Sequence, residues 1–155
     1  MGFIAAGQMP QAEQNQAELQ DELRPDAFWP LVSLSEFRAL MRVDDNVTNP
    51  RAFFALETGL YDVFDQLKSL ADQGAETLEQ CYSIKQWPRM KNAFKQAVYN
   101  QAKSLILEDY RDVRTTPHGS DAADGLVERI DRCRVRVTES VRTLLGKSRV
   151  AVDLI

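Results

Sequence analysis

The chain has 155 residues, enough for one domain, and a domain of that size buries roughly two-thirds of its unfolded surface. At 44% hydrophobic and 27% charged, with no apolar run near the roughly 20 residues of a membrane span, it reads as a soluble protein rather than a membrane one. The net charge of −4 resides entirely in residues 1–27, with five acids and one base; the other 128 residues hold 18 of each, which excludes DNA binding by bulk charge.

Residues 1–27 are rich in Gln and acids, with few large apolar side chains before Leu19, so they are expected to form a flexible or extended arm. Met1 to Gly7 has neither a basic n-region nor a full h-region, and Ala6 does not suit myristoylation, so neither processing signal is expected. Phe28-Trp29-Pro30-Leu31-Val32 is apolar but broken by proline. It reads either as a lid over the end of a bundle or, through Phe28, Trp29 and Pro30, as a segment docking on a neighbouring subunit.

Ser33-Leu34-Ser35-Glu36 has the form of a capping box, in which the Ser33 hydroxyl meets the Glu36 amide and the Glu36 carboxylate reaches back. A short helix burying Phe37, Leu40 and Met41 follows, ended by Asp44-Asp45-Asn46. Asn49 and Pro50 open a second helix, as N-cap and first helical residue, and it runs from about 50 to 73 on the stripe Phe53, Leu56, Leu60, Val63, Phe64, Leu67 and Leu70. Gly74 stops it. Residues 75–88 form a connection, with a helical turn possible near Thr77 to Gln80.

The spacing of Met90, Phe94, Ala97, Val98, Ala102, Leu105, Ile106 and Tyr110 predicts a helix from about Met90 to Arg111, with Lys91, Lys95, Asn100, Lys103, Glu108 and Asp109 between them. A stripe that wide needs partners on more than one side, which makes this the central element of a mainly α fold, a bundle of about four helices. Pro117 and Gly119 break the pattern. A last helix, capped by Ser120 or Asp121 and ended by Gly146, carries the stripe Leu126, Ile130, Cys133, Val137, Val141 and Leu144. The bundle thus spans 28–146. Residues 147–155 form a tail whose Val150, Val152 and Leu154 alternate, and an apolar strand-like tail in a helical chain is expected to pair with another protein.

Chemical signatures are few. His118 is the only histidine and stands in a Pro/Gly loop without ligands at metal spacing. Gly146-Lys147-Ser148 resembles the end of a phosphate loop, but Val141 stands where its first Gly should be and the motif closes a helix instead of opening one. Cys81 and Cys133 form no CxxC unit, and Cys133 falls in phase with the buried stripe. No cofactor, metal or enzymatic role is expected. One charge feature is distinctive: Arg129, Arg132, Arg134, Arg136 and Arg142 on the last helix, offset by Glu128, Asp131 and Glu139. They form either a solvated face or a surface turned to a neighbouring subunit or a nucleic acid backbone.

Glu108-x-Tyr110-Arg111-x-Val113, then Gly119, Ala123-Asp124, Ile130-Asp131, Val141, Lys147, Arg149 and Ile155 carry a collinear likeness that runs without gaps from about Leu107 to the last residue. A weaker likeness extends upstream through Phe28, Pro30, Met41-Arg42 and the helix after Pro50. In these features the chain resembles the head-completion proteins of contractile-tailed temperate phages, also called head–tail connector or adaptor proteins.

The resemblance implies a non-enzymatic virion protein, assembled in the host cytoplasm, with about a dozen copies in a ring beneath the portal. Such a ring completes the head, extends the channel through which double-stranded DNA passes without sequence recognition, and offers the platform for a neck or tail-terminator protein. Lys147, Arg149, Val150, Val152, Leu154 and Ile155 are then the candidate portal-binding residues. Arg129, Arg132, Arg134, Arg136 and Arg142 become candidates for the subunit interface or the channel. The alternative is a helical nucleic-acid-binding or regulatory protein working through the same arginines.

Overall fold

The structure is a computed structural model, and it describes residues 21–113 and 120–148. Among them are four α-helices, α1 (Leu34–Met41), α2 (Asn49–Leu67), α3 (Trp87–Val113) and α4 (Ser120–Leu144). A two-residue antiparallel pair precedes them, β1 (Glu22–Leu23) with β2 (Val32–Ser33), in the register Glu22 to Ser33 and Leu23 to Val32. Helix α3 packs along both α2 and α4, which scarcely touch each other, so the expected central helix is central. Its stripe is wider than its apolar residues suggested. Asn100 and Lys103, expected between the apolar positions, are buried, whereas Leu105 is only half-buried and Leu107 takes a place in the core.

The folded body begins earlier than residue 28. Asp21, assigned from sequence to the arm, accepts hydrogen bonds from the Ser35 amide (2.8 Å) and the hydroxyls of Ser33 (2.8 Å) and Ser35 (2.9 Å), and its carbonyl accepts from the Leu34 amide at 2.7 Å. Asp21 therefore supplies a second cap to α1, and the Ser33 hydroxyl holds the Asp21 carboxyl below its usual range. Residues 1–20 lie outside the described residues, as do His118 and the break around Pro117.

Half of the expected capping box forms. The Glu36 amide donates to Ser33 Oγ at 3.2 Å, but the Glu36 carboxylate does not return to Ser33. It accepts instead from Lys95 Nζ (2.8 and 2.9 Å) and Tyr99 Oη (2.6 Å) on α3, and the Ser33 amide donates to Tyr99 Oη at 3.2 Å. A tertiary contact thus takes over the reciprocal bond and ties α1 to α3. Leu40, expected in the core, is 64% exposed, because the eight-residue helix turns only Leu34 and Phe37 fully inward.

Thr48, not Asn49, is the N-cap of α2, one residue earlier than expected, with Pro50 in the first turn. The helix tightens to a 3-10 turn over Lys68–Gln73 and stops at Gly74, whose φ of +85° suits glycine. Another 3-10 turn, Leu78–Cys81, fills the connection, and Gly146 (φ +70°) closes α4.

Within the apolar segment Trp29 is 1% exposed, stacked on Phe94 (centroids 5.7 Å apart) and edge-on to Phe64 (5.6 Å). The Leu78 amide holds the Phe28 carbonyl at 2.9 Å, so the segment lies over the bundle as a lid. Burying such an aromatic contributes roughly 1.5–3 kcal/mol or more, enough to offset a Trp29 Nε1 that has no acceptor among the described residues.

Candidate functional site

The five arginines of α4 are not one set. Arg129, Arg132 and Arg136, spaced three and four apart, share one face and line an open groove of about 510 Å³ between α4, α3 and the end of α1. Met41, Arg42, Asn100, Lys103, Leu107 and Cys133 complete the lining, and among the described residues no acid contributes to it. Arg134 stands on the opposite flank, paired with Glu108 of α3 and within 4.0 Å of Asp131. Arg142 turns along the helix and donates to the Ser148 carbonyl at 3.0 and 2.7 Å, which satisfies the chain as it leaves α4. In the sequence the five stand as one candidate set; the structure gathers three of them in the groove and gives Arg134 and Arg142 local partners.

The groove is strongly cationic. Arg132 meets Glu128 at 2.7 Å, but Arg129 and Arg136 have no carboxylate partner among the described residues. Lys103 is only 9% exposed, with its ammonium 3.3 Å from the Arg42 carbonyl. Burial, and then Arg129 nearby, push its pKa down, while Cys133 and Asp44 pull weakly the other way. Cys133 is half-buried beneath the groove, and burial raises its thiol pKa despite the surrounding cations. Arg42 and Lys103 were not foreseen as parts of a site. Lys103 occupies a register position on α3 close to the buried stripe, and that was the available signal.

A second surface was missed altogether. On α2, Phe54 is 70% exposed and Tyr61 47%, with Glu57 and Asp65 exposed on the same outward face. Phe54 lies one residue out of phase with the stripe through Phe53, which marks an aromatic side chain facing outward.

Of the candidates for docking on a neighbour, Trp29 is in the core, and Phe28 and Pro30 are partly exposed beside it. Lys147 is exposed, its amide donating to the Arg142 carbonyl at 2.8 Å in the Gly146 cap, which is the helix-closing role expected of Gly146-Lys147-Ser148. Arg149, Val150, Val152, Leu154 and Ile155 lie outside the described residues. Among the described residues no helix is long and apolar enough to cross a membrane, and no group of three or more His, Cys, Asp or Glu could hold a metal ion.

The described residues form a small helical bundle with two contrasting outer faces, the cationic groove beside α4 and the aromatic and acidic face of α2. The family model described as phage head completion protein (GPL) matches residues 23–155, and the chain belongs to that family. It is a phage head structural protein and a component of the virion. The match begins at Leu23, the second residue of β1, a few residues upstream of Phe28, where the likeness read from sequence begins. No curated protein and no solved structure matches the chain.

Proposed function

We propose that this protein is a head–tail connector: identical copies form a ring beneath the portal, complete the DNA-filled head, extend its channel and present the platform on which neck and tail assemble. The family match, which runs through all four helices to residue 155, carries the reading. The charge balance supports it, since a body with 18 acids and 18 bases would let DNA slide past without gripping its phosphates. The segment 147–155 serves as the element that reaches into the portal, through the Val150, Val152 and Leu154 that alternate in its sequence.

Native mass of the protein alone, and after mixing with the portal ring encoded in the same genome, tests this. The expected result is a monomer that becomes a stoichiometric ring only on the portal, with deletion of 147–155 leaving the helical signal intact and abolishing the complex. No association with the portal would overturn the connector reading, and a complex that survives the deletion would remove the tail from it.

A second reading has one observation in its favour, the cationic groove of Arg42, Lys103, Arg129, Arg132 and Arg136. A nucleic-acid-binding protein would use it on phosphates, and its affinity for duplex DNA would fall steeply with salt. The connector is expected to bind DNA weakly at physiological salt.

A further inference from the structure

Helix α3 stands between two faces of opposite chemistry. The outward face of α2 is aromatic and acidic, through Phe54, Tyr61, Glu57 and Asp65. The groove beside α4 is cationic through Arg129, Arg132 and Arg136, with the exposed Leu40 nearby on α1, lining the adjoining hollow that Arg136 also lines. We propose that these faces are the two halves of one contact between neighbouring copies, the α2 face of one copy seating on the α4 groove of the next. The proposal rests on the ring reading and assigns the surfaces that close it.

Three observations support it. Tyr, Phe and Arg are the side chains enriched where protein interfaces are most strongly held, and here they are exposed on two faces that fit each other in charge. Neither face can serve a two-fold contact with itself, because groove against groove sets arginine on arginine, and α2 against α2 sets carboxylate on carboxylate. A contact between two unlike faces is heterologous, and repeated copies of it propagate into a ring when the rotation closes. Finally, the groove holds positive charge the fold does not compensate: Arg129 and Arg136 lack carboxylate partners among the described residues, and Lys103 is buried beside them. Incoming carboxylates would relieve that repulsion. On α2 itself, Arg51 is turned to Asp109 at 3.7 Å, which leaves Glu57 and Asp65 for a partner.

The test is a charge exchange in the full-length chain, read as copies bound per portal ring by native mass. Arg132→Glu with Arg136→Glu, or Glu57→Lys with Asp65→Lys, puts like charges across the contact and is expected to reduce complete rings about tenfold or more. The chain carrying all four substitutions restores opposite charges and is expected to recover rings to within about threefold of wild type. All four side chains are exposed, so circular dichroism should match wild type in every variant. Full rings from either paired variant, or a loss that the fourfold variant does not recover, overturns the contact while the wild-type ring still stands. A wild-type chain that forms no ring overturns the connector reading and this contact with it. Retention of duplex DNA at physiological salt that disappears in Arg132→Glu/Arg136→Glu, with rings unchanged, would show the groove to be a phosphate surface and overturn the proposal.

Discussion

The same substitution should act with opposite sign at two glycines. Gly59 sits where α2 crosses α3: a Cβ there would lie 2.8 Å from the Ala102 amide nitrogen, 3.1 Å from its Cα and 3.2 Å from its Cβ. Gly125 lies in α4 with nothing among the described residues within 4 Å of such a Cβ. Replacing glycine by alanine inside a helix gains about 0.8–1 kcal/mol of propensity at either position. At Gly125 nothing opposes the gain, and Gly125→Ala should be more stable than wild type by about that amount. At Gly59 the obstacle is the backbone of a helix buried on most sides, which cannot rotate away as a side chain would. Overpacking of this kind costs about 1–3 kcal/mol, and a contact with rigid backbone belongs at the upper end. Net destabilisation of about 2 kcal/mol follows, a drop in Tm of roughly 4–8 °C for a chain of this length. Urea unfolding followed by circular dichroism measures both, with unchanged m-values showing that only stability moved. Because propensity enters both variants alike, the difference between them isolates the crossing itself. A Gly59→Ala protein as stable as wild type would refute the close approach of α2 and α3.

The bond network at the start of α1 gives two further expectations. Tyr99→Phe removes the bond to the Glu36 carboxylate and leaves the half-buried Ser33 amide without its partner, so it should cost about 2–3 kcal/mol by urea unfolding. The hydrogen bond from Lys95, and then that from Tyr99, hold the folded Glu36 pKa below its usual 4.5, so the stability it contributes is fully present above that value and lost as pH falls through the folded one. Stability between about pH 5 and 3 should therefore fall less steeply in Tyr99→Phe than in wild type; equal slopes would break the link between Tyr99 and Glu36.

Periodicity made the bundle legible because α2, α3 and α4 are long and their apolar residues repeat at helical spacing. It failed where one residue's local environment outweighs its pattern. Leu40 fits the period of α1 but lies beyond the reach of the core, since an eight-residue helix presents barely two turns. Asp21 reads as one acid among five in a polar leader, and only the fold brings it to Ser33 and Ser35. The capping box was half right for a related reason: Tyr99, 63 residues away, competes for Glu36 and wins with a bond of 2.6 Å. As for the sites, the arginines were visible as a cluster, yet choosing which three share a groove needs the direction in which α4 faces α3. The exposed face of α2 was readable in principle, since Phe54 and Tyr61 both lie off the stripe that Phe53, Leu56 and Leu60 define.

Lys103 separates what the fold needs from what the groove does. A lysine whose folded pKa lies below the usual 10.5 weakens the fold at neutral pH, and that penalty disappears only as pH rises past the unfolded value. Among the described residues its one polar tie is a 3.3 Å contact to the carbonyl of Arg42, an exposed residue whose carbonyl water can serve instead. Methionine keeps the length and apolar stem of the side chain without the charge. Lys103→Met is therefore expected to leave stability unchanged or raise it by up to about 1 kcal/mol, since replacing a poorly compensated buried charge by an apolar side chain is often neutral or favourable. The same variant removes one positive charge from the groove and should weaken ring assembly on the portal several-fold. Charge retained at a cost to stability is the pattern expected of a surface kept for binding. A Lys103→Met chain that loses 2 kcal/mol or more by urea unfolding would show that the ammonium is a structural tie to α1. Wild-type assembly from a stable Lys103→Met chain would show that this charge takes no part in the contact.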